Sequence, residues 1–287
     1  RRRVRGRDFL MKRANGGCGK GIGTKSDAEA AGNKVREFVR YLGCKLKRAV
    51  YPERVTCDLC SKELVADTRY PLCAACTETV TFTDGKVCLC CGAPINDEAD
   101  YCIRCQNTES VFRLNRSAMV YDGGAKKLVY SLKFGGKKYI AKTLGAMMSD
   151  AFLRFGMEAD IIVPVPMSEK EVKKRGFNQA ELIAREVGGR MNIPVLPALQ
   201  KVKETLPQKE LSGRERAENL KGCFAVAYSD WIAGRKILLV DDVFTTGATA
   251  NECAKTLFKA KVRQVSVLTA AVTKTKLPVE QSKELDE

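Results

Sequence analysis

The sequence predicts an α/β fold, a parallel sheet with helices on both faces, preceded by a small cysteine-rich module. Three observations carry this. From about residue 158 onward, short runs of strand length alternate with helical patterns, as in strand–helix–strand units. The run Ile237–Val240 is apolar throughout rather than alternating, which suits a strand buried on both faces. Ahead of these, residues 57–105 hold four Cys-x-x-Cys pairs among the chain's 13 cysteines.

In chain order, residues 1–32 are rich in Arg and Gly and read as a disordered basic arm. Residues 33–56 read as a basic amphipathic helix. Val35, Phe38, Val39, Leu42, Leu46 and Val50 fall near helical spacing, among six Lys and Arg residues between 34 and 48. Docking on the protein's own core and peripheral contact with a membrane surface both fit such a helix. Residues 57–106 are the cysteine module, 107–275 the α/β domain and 276–287 a polar tail. Within the domain the pattern predicts a strand at Ser117–Tyr121 and two short helices joined at Gly135-Gly136. A strand at Ile161–Val165, a helix at Asn178–Arg190, a strand at Lys236–Asp241, a helix at Ala248–Lys259 and a strand at Val265–Ala271 follow.

At 287 residues and 45% hydrophobic content the chain can build one or two domains with a sizeable core. No apolar run is long enough to span a bilayer, and no apolar stretch near the start reads as a secretory signal. The net charge of +16 is uneven: residues 1–56 hold 16 Lys/Arg against 5 Asp/Glu, which leaves +5 for the rest. That arm suits phosphate backbones or anionic lipid heads, and equally a solvated tail. With no histidine, any metal site must use Cys or carboxylate, and any general base Asp, Glu, Lys or Tyr.

The cysteine spacing is Cys57-x2-Cys60, Cys73-x2-Cys76, Cys88-x2-Cys91 and Cys102-x2-Cys105. Each pair forms a turn that points two sulfurs at one ion, and two turns complete a tetrahedral shell of four thiolates. The expectation is two structural Zn²⁺ per chain, since four ligands leave no open position for catalysis. Successive Cys-x-x-Cys turns are poor disulfide geometry. Sequential pairing, 57/60 with 73/76 and 88/91 with 102/105, is the first choice; interleaved pairing also satisfies the spacing. Cys90 is a spare thiol, and Cys18, Cys44, Cys223 and Cys253 read as ordinary residues.

The run Ile237–Val240 leads into Asp241 and Asp242, then Val243, Phe244, Thr245, Thr246, Gly247, Ala248 and Thr249, where a helix begins. Ligands of α/β sheets bind at the carboxyl ends of strands. A loop that opens a helix offers free N–H groups and a positive dipole end to a phosphate. Gly247 permits close backbone approach, the three threonines supply hydroxyls, and the carboxylates accept from vicinal hydroxyls such as those of a ribose. The earlier strand at Ile161–Val165 runs through Pro166 into Met167 and Ser168. Beyond it Lys173, Lys174 and Arg175 precede a helix and suit a mobile flap over a polyanion. The polar segment Leu206–Asn219 is a candidate loop over the same site, its chemistry undetermined by spacing alone.

The 13 residues Ile237–Thr249 closely resemble the phosphoribosyl pyrophosphate (PRPP) loop of type I phosphoribosyltransferases. The wider pattern resembles the ComF competence family over about residues 50–273. It comprises the double cysteine module, Leu132-Lys133-Phe134, the Pro-Val-Pro strand end at 164–166, Arg-Gly-Phe-Asn-Gln at 175–179, the stretch 208–219 and the PRPP loop. The resemblance implies a type I phosphoribosyltransferase-like domain after a double zinc ribbon, with PRPP and Mg²⁺ as ligands. It also implies a cytoplasmic bacterial protein that handles incoming single-stranded DNA, with a DNA-uptake helicase of the competence machinery as a candidate partner.

Two functions follow. In the first, a Mg²⁺-dependent phosphoribosyltransferase, Asp241 and Asp242 are catalytic and residues 243–249, Pro166, Met167, Lys174 and Arg175 hold PRPP. In the second, the fold positions nucleic acid. Lys126, Lys127, Lys133, Lys137 and Lys138 then meet backbone phosphates while Phe134, with Tyr130 and Tyr139 among these lysines, stacks on bases. A solvated helix face with core aromatics is the plainer account of that stretch.

Overall fold

The computed structural model describes residues 56–64, 68–96, 98–203 and 218–274. The predicted arm 1–32, the tail 276–287, nearly all of the helix 33–56 and most of the segment Leu206–Asn219 lie outside the described residues. All the described residues but Thr56 belong to one compact unit, Cys57–Glu287.

Two one-turn helices, α1 (Ala74–Thr77) and α2 (Ile103–Gln106), belong to the cysteine module. Then come β1 (Asn115–Val120), α3 (Gly123–Phe134), α4 (Ile140–Arg154), β2 (Ile161–Pro164), α5 (Glu169–Arg175) and α6 (Gln179–Met191). The chain continues through β3 (Leu199–Lys201), β4 (Phe224–Val226), α7 (Ser229–Ile232), β5 (Lys236–Phe244), α8 (Ala248–Lys259) and β6 (Gln264–Val272). Four strands form a parallel sheet in the order β1-β6-β5-β2, and β3 and β4 pair as a separate antiparallel ribbon.

Side chains on a strand alternate between faces, and both faces of this sheet are covered. Ile162, Leu238, Val240, Leu268 and Ala270 enter one core with α3, α4 and α6. Val163, Ile237, Leu239, Val265 and Val267 enter the other with α8 and the β3–β4 ribbon. This is why Ile237–Val240 is apolar without alternation. Each outer edge of the sheet is paired off. Along β1, the Thr83 N–H donates to the Ala118 carbonyl at 3.1 Å and the Val120 N–H to the Thr81 carbonyl at 2.8 Å. Along β2, Ile162 bridges Val195 in parallel register. Edges covered in this way cannot recruit a further strand.

Two expectations are corrected. β5 does not stop at Asp241 but runs to Phe244, because β6 keeps pairing alongside it, with Val243 opposite Ala271 and Phe244 opposite Val272. The loop between strand and helix is therefore only Thr245–Gly247. Lys173, Lys174 and Arg175 do not form an open flap; they are the last turn of helix α5. Ser168 and Glu171 make a reciprocal capping box at its start, and the three cations complement its C-terminal dipole before Gly176, at φ 81°, ends it.

Candidate functional site

The cysteines form two groups, Cys57/Cys60/Cys73/Cys76 and Cys88/Cys91/Cys102/Cys105, with the sulfurs of each within 4.8 Å of one another. Pairing is sequential. A tetrahedral Zn²⁺ with bonds of about 2.3 Å spaces its sulfurs by about 3.8 Å. Cys60 and Cys73 sulfurs lie 3.7 Å apart, and those of Cys91 and Cys102 lie 3.6 Å apart, so both shells fit the ion. The module is an internal duplication in geometry as well as spacing. Each first pair is followed by a left-handed residue, Ser61 at φ 60° or Gly92 at φ 69°, and each second pair opens a one-turn helix capped by its first cysteine. Gly92 also lies close to neighbouring backbone, since a Cβ there would meet the Asn115 carbonyl oxygen at 2.7 Å. Cys90 stands outside both groups, its thiol 3.1 Å from the Ser110 hydroxyl. Cys223 and Cys253 are buried in the sheet's second core, as ordinary apolar residues are.

Thr245–Gly247 turns the chain from β5 into α8. Gly247 caps the helix at φ 83°, and a Cβ there would sit 2.8 Å from the Phe244 ring, so both conformation and space require glycine. The Thr246 hydroxyl accepts from the Ala248 amide at 3.4 Å. The first-turn amides that α8 cannot satisfy internally lie around a narrow cleft lined by Asp241, Thr245, Thr246, Gly247 and Thr249.

Asp241 and Asp242 point to opposite faces of β5. Asp241 lines the cleft, and its side chain accepts from the Asp242 amide at 2.8 Å. Burial, and then the charge of Asp242, push the Asp241 carboxyl up to about 7 against the opposing pull of Lys133. Asp242 is buried. Its Oδ1 lies 2.8 Å from Lys133 Nζ, and its Oδ2 is buried with no hydrogen-bond partner. Burial works to lower the Lys133 pKa, but the adjacent Asp242 charge overrides it and raises the value.

Lys133 therefore lies inside this site and not on an outer phosphate-binding face. The rest of its segment divides. Lys126, Lys127, Phe134 and Lys138 are exposed and Lys137 is half-buried. Tyr130 at 61%, Phe134 at 54% and Tyr139 at 51% exposure are not core aromatics. The Arg175 guanidinium stacks 5.4 Å over the Phe134 ring, and Lys138 Nζ lies 5.2 Å over Phe177. These contacts join the end of α3 to the α5–α6 junction. Pro166 and Met167 are half-buried at the end of β2, with Arg175 Nη1 3.7 Å from the Met167 sulfur. Lys174 is exposed.

Sequence reasoning missed Arg104. It lies in the x2 spacer of the last Cys-x-x-Cys pair, where residues read as filler. Its Nη1 donates to the Thr245 carbonyl, and its guanidinium lies 5.9 Å over the Phe244 ring.

Residues 46–106 match a family model described as a double zinc ribbon domain. Competence protein F of Haemophilus influenzae is 31% identical over 203 residues, 68% of this chain and 88% of that protein. DNA utilization protein YhgH of Escherichia coli K12 is 29% identical over 217 residues, covering 74% and 94%. Competence protein ComFC of Bacillus subtilis is 26% identical over 235 residues, covering 75% and 94%. Among solved structures, adenine phosphoribosyltransferase of Thermoanaerobacter pseudethanolicus overlaps 48% of this chain and 82% of its own at 15% identity and a TM-score of 0.31. An overlap so loose says nothing of ligand or chemistry. Fold and site define a double zinc ribbon joined to a parallel α/β domain with a candidate site at the end of β5. The chain belongs to the ComF family of competence and DNA-utilization proteins.

Proposed function

We propose that the cleft at the end of β5 binds PRPP with Mg²⁺, and that the protein uses this site while handling single-stranded DNA in DNA uptake. The observation that carries the ligand is Asp242 Oδ2, a buried carboxylate oxygen with no partner at the carboxyl end of a sheet strand. Such an oxygen is costly unless something donates to it, and a ribose hydroxyl is a donor of the right kind. Asp241 supplies a second acceptor at the cleft. Thr245, Thr246, Thr249 and the first-turn amides of α8 supply donors for a 5-phosphate. Oxygen donors from one or two carboxylates, completed by the ligand's own phosphates, fit Mg²⁺, and Asp241, the carboxylate that lines the cleft, would hold it. When bound, the ion neutralises the pyrophosphate.

DNA handling rests on the relatives named for competence and DNA utilization and on the exposed aromatics of α3. Tyr130 and Phe134 pack at 5.0 Å, with Lys126 and Lys127 exposed on the same helix. Exposed rings beside lysines suit bases stacked along a phosphate backbone. Phosphoribosyl transfer is the second reading, favoured by two carboxylates beside the ribose that would stabilise a cationic sugar. It shares the ligand and adds an acceptor.

The test measures PRPP–Mg²⁺ binding and single-stranded DNA binding across salt, for wild type, Asp241→Asn/Asp242→Asn and Tyr130→Ala/Phe134→Ala. The reading expects the aspartate variant to lose PRPP alone. It expects DNA affinity to fall with salt and to weaken by roughly 1–3 kcal/mol per ring removed. A wild type that binds neither ligand overturns it.

A further inference from the structure

We propose that Arg104 is a positioning residue for the phosphate loop, so that the second four-cysteine group is a working part of the ribose-phosphate site. This rests on the PRPP reading above. The contact is one of five that the segment 104–112 makes with the end of β5, the loop and the first turn of α8. Arg104 Nη1 donates to the Thr245 carbonyl, and the guanidinium covers the Phe244 ring. Phe112 meets the same ring edge-on, centroids 5.9 Å apart at 84°. The Asn251 side chain accepts from the Val111 amide at 2.9 Å and donates to the Glu109 carbonyl at 3.4 Å.

The Arg104 bond matters because of peptide geometry. In a planar trans peptide the C=O and the following N–H point in opposite directions. A Thr245 carbonyl tied to Arg104 therefore turns the Thr246 N–H away from the ribbon. Were that peptide to flip, a carbonyl oxygen would replace an amide donor on the side left to an anion. Arg104 is suited to this hold. It is anchored between Cys102 and Cys105, two members of the second four-cysteine group. A zinc ion with four thiolates carries a net negative charge, which leaves Arg104 drawn to the ribbon by one side and to the loop by the other. The sequence leading from metal to ligand is then Cys102/Cys105, α2, Arg104, Thr245 and the Thr246 amide.

The experiment uses the full zinc-loaded chain, ribose 5-phosphate as calorimetric probe, and wild type, R104M and R104K. Each sample is also assayed for zinc, and a threonine-¹⁵N spectrum follows the Thr246 amide. We expect R104M to keep two zinc ions yet bind the probe ~10-fold more weakly, the worth of one charge-assisted hydrogen bond. Its free spectrum should show the Thr246 amide broadened or doubled. R104K keeps the charge beside the thiolates but loses the planar fork, and we expect it to bind at least ~3-fold more weakly with zinc intact. It decides the matter should R104M lose zinc. Full probe affinity in either zinc-replete variant overturns the inference while leaving the PRPP site standing. A wild type that binds neither ribose 5-phosphate nor PRPP overturns the site and this inference together.

Discussion

Replacing Lys133 by Met should strand a buried charge, and the size of the effect follows from one contact. Lys133 Nζ and Asp242 Oδ1 are 2.8 Å apart, with side-chain exposures of 23% and 4%. At an effective dielectric near 20 the gross attraction is about 6 kcal/mol, much of it offset by the cost of taking both ions out of water. Removing only the cation leaves that cost unpaid on the carboxylate, and such truncations lose about 3–5 kcal/mol. The loss has a ceiling, because a stranded interior carboxylate takes up a proton instead. Holding that proton at pH 7 costs about 4 kcal/mol for a group of ordinary unfolded-state acidity. The expected deficit at pH 7 is therefore about 3–4 kcal/mol. The variant's native state would bind one more proton than its unfolded state, so the deficit shrinks by about 1.4 kcal/mol for each unit the pH falls. Lys133→Met/Asp242→Asn, neutral on both sides, should recover to within about 1 kcal/mol of wild type. Urea unfolding with zinc in excess, followed through the chain's one tryptophan, Trp231, measures all three. A deficit under about 1 kcal/mol, or one that stays constant between pH 7 and pH 5.5, would refute the reasoning.

Two further outcomes are expected. The Asp241 carboxyl, pushed up to about 7 by burial and then by Asp242, binds its proton more tightly folded than unfolded. Such an acid costs stability as pH rises from about 4 to its folded value, so Asp241→Asn should raise the melting temperature at pH 8 and gain little at pH 4. Thermal scans at both pH values decide it, and a larger gain at pH 4 would contradict the assignment. Gly247→Ala places a Cβ 2.8 Å from Phe244 at φ 83°, whereas Gly234→Ala at φ 71° meets nothing within 4 Å. Urea unfolding should show about 1–2 kcal/mol lost at Gly234 from backbone strain alone, and more at Gly247. Ribose 5-phosphate binding should fall only for Gly247→Ala, and equal binding by the two variants would count against a phosphate loop.

What was legible in the sequence is what local spacing decides. Helix Ala248–Lys259 was read to the residue, because Gly247 ahead of it and its apolar periodicity are both local. The eight ligand cysteines were legible for the same reason, but sequential against interleaved pairing needed positions in space. β5 was read three residues short because the pairing that extends it comes from β6, across the whole of α8. α5 was read as a flap on the strength of its three cations, although the Ser168/Glu171 capping box lies in the same stretch and identifies a helix start. Lys133 looked like one lysine among five, since its partner is more than a hundred residues along the chain. Only its place in Leu132-Lys133-Phe134 separates it from its exposed neighbours. Arg104 was passed over for a similar reason, as the carbonyl it serves is 141 residues away.

The strand order β1-β6-β5-β2 has a consequence for biosynthesis. Within the sheet β1 has a single neighbour, β6, and the pair Ser117–Thr269 joins positions 152 residues apart. A ribosome makes β1 long before β6, so β1 emerges with no sheet partner, and exposed strand edges of this kind invite misassembly. The segment Thr81–Thr83, made earlier still, is already available on its other edge. Metal uptake by the first four-cysteine group, which spans residues 57–76, would thus give β1 its first docking surface before β5 and β6 have been made. In zinc-starved cells the expected failure is not a weak enzyme or a weak binder but a nascent chain with an unguarded strand.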